Sequence, residues 1–430
     1  MSELERHLAR LRRGELPAGA RLLKESPVRR VLQLDDAILK LYRTPSPRAR
    51  REAKALREAQ RRGIAVPALL GAGADWVAMR LVEGRAAQRC DLELVLRAVE
   101  RMHGRGMLHG DLHLGNLRRS RDPFAPVILL DLQRSRFMAR VPDWARRREL
   151  GFLAYSLGEP LPRELQDVAR WRDRRARVHL GSRTRRCVIE SSRFTRVELG
   201  GRRGFRRREV DLEALARRLA LATSSGEGSE LLKAQGSQRL CRVDAWIFKR
   251  HRHARDARAA WLAGSGLEAR GIPLARALAW IDRWLVMEDA GPTVSDWVDR
   301  ELASAPAAHA QDLARALGDL LAQLHRKGIY HADLKANNIA WWPGSVPSLL
   351  DYRRVRFDRS LSRERRGENL AQLNAALPDS VGPELRELAF SRYLACAGPL
   401  PNAQRLRREV IEESLRRHHR WTGCPRPRSR

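Results

Sequence analysis

Apolar residues recur along this chain in two rhythms, and the rhythms follow one another in the same order in the first and second halves. Short apolar runs read as strands at Ala37-Ile-Leu-Lys40-Leu-Tyr42, around Leu69, over Trp76 to Leu81, at Trp246-Ile-Phe-Lys249 and across the basic stretch Ser192 to Arg208. Helical spacing governs Leu92, Val95, Leu96, Val99 and Met102, and again Leu313, Ala316, Leu317, Leu320, Leu321 and Leu324. Each of these stripes marks the buried face of an amphipathic helix. Residues 48–62 read as a basic helix stopped by Gly63 and Pro67, and Val210 to Ala222 as another helix. Thr223 to Ser229 reads as a turn and Gly423 to Arg430 as a disordered tail. The pattern predicts an α+β protein of two tandem domains, residues 1–185 and 186–430. Two units of about 200 residues fall within the usual domain range.

Each long helical stripe runs into nearly the same phrase. The first is Met102-His-Gly-Arg-Gly-Met-Leu-His-Gly-Asp-Leu-His-Leu-Gly-Asn116 and the second Leu324-His-Arg-Lys-Gly-Ile-Tyr-His-Ala-Asp-Leu-Lys-Ala-Asn-Asn338. Both hold a His, an Asp two residues on and an Asn five beyond that. An apolar run ending in Asp then follows, Ile128-Leu-Leu-Asp131 and Ser348-Leu-Leu-Asp351. Gaps of 20 residues between Asp111 and Asp131, and 18 between Asp333 and Asp351, suit a short hairpin. Agreement at this many positions reads as an internal duplication.

Phosphoryl transfer from ATP asks for this set of groups. It needs an oriented acceptor hydroxyl and divalent metal held against crowded phosphate oxygens. Asp111 and Asp333 are placed to orient the acceptor. Asn116 with Asp131, and Asn338 with Asp351, offer the hard oxygens that Mg²⁺ takes. A lysine inside an apolar strand is costly unless its ammonium meets an anion, so Lys40 and Lys249 are candidates to grip ATP phosphates. Lys335, two residues after Asp333, is either a cation facing the transferred phosphoryl group or a solvated loop charge, and the first half has His113 there. His109 and His331 brace the loops, and His103 and His325 are expected as helix-end groups whose charge suits the C-terminal dipole.

The order lysine strand, helix, Arg-Gly-Ile, amphipathic helix, His-x-Asp loop and Asp strand resembles the protein-kinase-like fold, which implies that each of the two tandem domains is bilobal, with a small antiparallel-sheet lobe and a mainly helical one. The second loop, His331-Ala-Asp-Leu-Lys-Ala-Asn-Asn-Ile339, is similar to that of the bacterial lipopolysaccharide core kinases, which act on Kdo or heptose. The resemblance implies ATP, Mg²⁺ and a sugar hydroxyl of the lipopolysaccharide inner core as acceptor. It also implies hinges at Met79 to Gly84 and Leu285 to Glu288, and a helix glutamate for the strand lysine. Glu52 suits that role in the first half. Ala260 occupies the equivalent place in the second, leaving Lys249 only Glu268 or Asp256 as makeshift partners. Neither lysine is preceded by a Gly-rich phosphate loop, and no Ala-Pro-Glu follows the strand aspartates. A Ser/Thr protein kinase or an aminoglycoside-type kinase is the alternative, as is a pseudokinase scaffold role for one domain.

The net charge of +33 attracts polyanions and comes almost wholly from arginine. With no nucleic-acid-binding signature in the chain, it points to an anionic membrane surface or glycolipid and away from nucleic acid. Five cysteines without paired spacing speak for a reducing compartment. The expected location is therefore the cytoplasm, peripheral on the inner membrane, since no apolar stretch approaches the ~20 residues a bilayer span needs.

Overall fold

The computed structural model describes residues 3–417 apart from 14, 18, 27, 123, 159, 225–227, 236–237, 399 and 401. The tail expected at 423–430 lies outside the described residues, as do Cys424 and the middle of the turn at 223–229. The chain divides into two compact units, Met1–His179 and Leu180–Arg430. The division falls inside the helix Ala169–Arg185, a few residues before the boundary expected from the sequence.

The first unit opens with an antiparallel sheet in the order Arg21–Glu25, Arg29–Leu34, Ala37–Tyr42, Trp76–Arg80, Leu69–Ala72. Leu32, Leu34, Leu39 and Ala78 on one side pack against Leu8 and Leu11 of the helix Glu3–Arg12. The turn joining the second and third strands places Asp35 at φ 43°, a left-handed conformation that aspartate tolerates and that matches hairpin twist. The helix Pro47–Arg61 covers the other side, its alanines 49, 53, 55 and 59 buried. Capping by Ser46 and a proline in the first turn fix its start. Beyond the sheet, helices Leu92–Gly104 and Asp143–Leu157 enclose a core of Val95, Val99, Met102, Leu112, Leu117 and Leu153.

The second unit carries the same five-strand order and adds two strands. Its sheet runs Phe194–Leu199, Arg202–Arg207, Ala277–Ile281, Trp284–Glu288, Trp246–Arg250, Gln238–Val243, Glu230–Gln235. The added pair accounts for the basic strand-like opening seen in the sequence. It docks because Gly204 lets the backbone of one strand approach the Trp280 carbonyl, where a Cβ would lie 1.7 Å away. The expected hinge Leu285 to Glu288 is strand to its end, hydrogen-bonded on both edges, so the chain leaves the sheet only at Asp289. The helical half is larger than the first unit's. Helix Ala307–Arg326 lies against Pro383–Ala397, with Gly318 close to the Ala389 carbonyl. Helices Arg363–Ala376 and Ala403–Arg416 complete it. A largely apolar cavity of about 210 Å³, lined by Leu313, Leu317, Leu370 and Phe390 among others, sits among these helices. No helix among the described residues is long and apolar enough to cross a membrane.

Candidate active sites

In each unit a loop and a short hairpin gather the candidate residues. Strand Leu117–Arg119 pairs with Ile128–Leu129, and Ile339–Ala340 with Ser348–Leu349, as the loop-to-strand gaps anticipated. The Leu130 N–H donates to Asn116 O at 2.8 Å and the Leu350 N–H to Asn338 O at 2.9 Å. Each asparagine is thereby held beside the strand that ends in aspartate. Its amide N–H donates to the loop aspartate's carbonyl, Asn116 to Asp111 O at 3.0 Å and Asn338 to Asp333 O at 2.8 Å. The amide oxygen remains an acceptor.

The loop histidines are braces. His109 is fully buried, its Nε2 is 2.8 Å from Leu130 O, and its Nδ1 accepts the Asp111 N–H at 3.3 Å. His331 does the same with Asp351 O at 2.5 Å and the Asp333 N–H at 3.2 Å. Burial lowers the pKa of both rings, so each is a neutral imidazole with one donor and one acceptor, the tautomer this pattern demands. His325 departs from expectation. It is buried, 2.9 Å from the Tyr393 hydroxyl, and burial brings its pKa to about 3, so no charge faces the helix end. His103 instead meets Glu149 at 3.0 Å.

Lys40 joins the two halves of the first unit's site. Its Nζ lies 2.5 Å from Glu52 Oε1 and 2.9 Å from Asp131 Oδ1. Burial alone would lower the lysine pKa, yet the two carboxylates raise it. Burial pushes Glu52 up. Burial would raise Asp131 as well, but Lys40 and Arg29 hold it down, with Arg29 at 3.9 Å from its other oxygen. Glu58, further along the same helix, pairs with Arg61 and Arg62.

In the second unit Lys249 Nζ reaches Asp351 Oδ2 at 2.6 Å, and Lys335 Nζ reaches Asp333 Oδ1 at 2.7 Å. Neither makeshift partner serves Lys249. Glu268 is taken by Arg207 at 2.5 Å and Arg193 at 2.9 Å, and Asp256 lies 3.6 Å from Arg353. Ala260 is buried in the core. Burial would raise Asp351, but Lys249 and the Arg353 N–H outweigh it and hold the carboxyl at about 2.

Three features left no mark in the sequence. Glu149, on the helix after the first loop, accepts the His109 N–H at 3.1 Å and the Gly110 N–H at 2.5 Å. The second loop is braced by amides instead. Asn369 accepts the His331 N–H at 3.2 Å and donates to His331 O at 2.6 Å, while Gln372 accepts the Leu334 N–H at 3.1 Å. Arg175 donates to Asp111 Oδ1 at 3.0 Å. These partners come from helices tens of residues downstream, and only the fold brings them back. The loops also differ at one backbone position. Gly110 has φ 79° and lies where a Cβ would be 2.4 Å from Arg134 O, whereas the second loop accommodates Ala332.

Among the described residues no group of three or more His, Cys, Asp or Glu gathers as a metal site. A carboxylate and an amide oxygen beside nucleotide phosphates nevertheless suit Mg²⁺, which is bound by few protein ligands when phosphates supply the rest. The residues present fit that role in both units.

Residues 282–389 match the sequence profile of the lipopolysaccharide kinase (Kdo/WaaP) family, a span that contains Asp333, Lys335, Asn338 and Asp351. A search of curated proteins gives no match. Among solved structures the chain is similar to WaaP in complex with acyl carrier protein, at 20% identity over 44% of this chain and 86% of that one, with a TM-score of 0.35. It is also similar to a choline/ethanolamine kinase family protein from Mesorhizobium loti, at 15% identity over 40% and 81%, with a TM-score of 0.30. The chain is a kinase, and through residues 282–389 it carries the sequence pattern of the lipopolysaccharide kinase (Kdo/WaaP) family.

Proposed function

We propose that this kinase transfers the terminal phosphoryl group of ATP to a sugar hydroxyl of the lipopolysaccharide inner core, on Kdo or heptose, with both units built for the same chemistry. The observation that carries the reading is the Lys249–Asp351 pair at 2.6 Å beside the loop that holds Asp333 and Asn338, most of it inside the family match. Lys249 would exchange its carboxylate partner for ATP phosphates. Asp333 would orient the sugar hydroxyl and take its proton, and Asn338 with Asp351 would hold Mg²⁺, which neutralises charge on the phosphates when bound. Lys40, Glu52, Asp111, Asn116 and Asp131 would act likewise in the first unit. The +33 net charge favours an anionic glycolipid acceptor at the cytoplasmic face of the inner membrane.

The test is phosphate transfer from labelled ATP to purified lipopolysaccharide core by the wild type, Asp111→Asn, Asp333→Asn and the double variant. Removing an orienting base lowers transfer by roughly 10² or more in the unit that turns over. Unchanged transfer in the double variant overturns the assignment of both loops. An inert lipopolysaccharide, with a protein or an aminoglycoside labelled instead, overturns the acceptor class.

A further inference from the structure

The second unit carries a cation beside its loop aspartate on the loop itself, whereas the first unit's loop has His113 at that place. A histidine is not a permanent cation. Yet Asp111 is not left alone. Arg175, from the helix Ala169–Arg185, donates to Asp111 Oδ1 at 3.0 Å, the counterpart of the Lys335 to Asp333 Oδ1 contact at 2.7 Å. Its guanidinium carbon lies over the Phe152 ring, 4.4 Å from the centroid. Its side chain is 23% exposed against 43% for Lys335, so the cation is better enclosed than the one it parallels. Arg134 stands further off, 3.8 Å from the other Asp111 oxygen, with its side chain 62% exposed.

We infer that Arg175 is the first unit's replacement for Lys335. It holds the Asp111 carboxylate and turns its remaining N–H donors toward the phosphoryl group in flight. This rests on the proposed phosphotransfer reading. In the step it serves, the bond from the terminal phosphorus to the ADP oxygen breaks and a bond to the acceptor oxygen forms. The hydroxyl proton passes to the Asp111 carboxylate. A guanidinium has five donors and spends one on Asp111, so it can hold the carboxylate and meet phosphoryl oxygens together. The duplicated loops thus solve one electrostatic need by two routes, a lysine within the loop and an arginine from a distant helix.

The experiment uses the full chain carrying Asp333→Asn, so that transfer to lipopolysaccharide core reports the first unit. Adding Arg175→Ala should lower kcat roughly 10- to 100-fold while the KM for ATP changes less than about threefold, as expected for a group used chiefly in the transition state. Adding His113→Lys to that variant moves the cation back into the loop and should restore kcat to within about fivefold. Arg174→Ala, which removes an equal charge from the same helix where it lies over Trp171, should leave kcat unchanged. Unchanged or increased kcat in Arg175→Ala overturns the inference. So does a loss that His113→Lys fails to restore, since that marks a purely structural contact. If Asp333→Asn alone abolishes transfer, the first unit does not turn over, and the two-unit reading falls together with the role given to Arg175. If transfer persists and Asp111→Asn then removes it, that reading stands and Arg175→Ala decides the inference by itself.

Discussion

The two units hold their strand lysines in different company, and the difference separates what the chemistry requires from what it tolerates. Lys40 sits between Glu52 and Asp131, with Arg29 on the far side of Asp131, so two cations face two carboxylates. Among the described residues Lys249 faces Asp351 alone, one charge against one. Local charge therefore balances in both sites although one has lost its helix glutamate. The surroundings do not match. The Lys40 and Glu52 side chains are 9% and 1% exposed, whereas those of Lys249 and Asp351 are 21% and 31% exposed. A buried pair cannot lose one member cheaply, while a wetter pair lets water replace the missing partner. The second unit could dispense with the glutamate because its lysine stands nearer to water, and Ala260 fills the vacated helix face with core packing.

The largest test of this contrast is to remove each lysine in turn. Lys40→Ala leaves Glu52 buried without a cation and should cost the first unit about 3–5 kcal/mol. Lys249→Ala should cost the second unit less, about 1–2 kcal/mol, because Asp351 keeps water and the Arg353 N–H as partners. Hydrogen exchange of the peptides covering 37–42 and 246–250 reads the two local stabilities separately in one chain. Equal losses in the two units would break the comparison. Recovery of most of the loss in Lys40→Met with Glu52→Leu would sharpen it, since an apolar pair carries no uncompensated charge.

A second contrast lies under the loops. Glu149 is a charged acceptor for two backbone N–H groups and the His103 ring, whereas Asn369 and Gln372 are neutral groups that both donate and accept. Hydrogen bonds to an ionised group are the stronger kind. Glu149→Ala should therefore destabilise the first unit by about 3 kcal/mol and Asn369→Ala the second by about 2 kcal/mol. Chemical unfolding followed by exchange at Gly110 and Ala332 would check both. Asn369→Asp should do no better than Asn369→Ala, because a carboxylate oxygen would then face the His331 carbonyl that the amide now donates to.

How far the sequence reached can be judged residue by residue. The sheet-and-helix plan was legible because Ala37 and Leu39, or Val95 and Val99, declare strand and helix by spacing alone. The loop residues were legible because their partners lie within five positions, as Asn116 does from Asp111. The Lys40–Glu52 pair was within reach because the helix Pro47–Arg61 follows its strand directly. Glu149, Asn369, Gln372 and Arg175 were not. Each meets its loop from a helix 38 to 64 residues away, and in so arginine-rich a chain nothing distinguishes Arg175 from its neighbours before folding. That Leu285 to Glu288 is strand to its end was not legible, because strand and hinge share the same apolar residues and only pairing with two neighbours distinguishes them.

The smallest effect concerns acid, and it too distinguishes the units. His251 follows Lys249 by two residues in the strand direction, is 2% exposed, and its Nε2 has no hydrogen-bond partner among the described residues. Burial first, and then the Lys249 charge, bring its pKa down to about 4. In the folded protein the ring stays neutral until pH 4, whereas in the unfolded chain it takes its proton near pH 6.5. The unfolded state then binds more protons across that window. The contribution of His251 to stability is therefore complete above about pH 6.5 and is lost as pH falls toward 4. The equivalent place in the first unit holds Tyr42, whose hydroxyl accepts from Arg29 at 3.2 Å and gains no proton in acid. Between pH 7 and 5 the second unit should lose about 1–2 kcal/mol that the first does not lose from this position. His251→Gln should flatten the slope without removing it, because His325, with its pKa near 3, acts with the same sign. Asp351, held at about 2, loses its share only below pH 4 and so does not enter the window. Hydrogen exchange of the 246–250 peptide at pH 7, 6 and 5, corrected for intrinsic exchange, measures this directly, and a pH-independent local stability would show that His251 finds a partner for its proton.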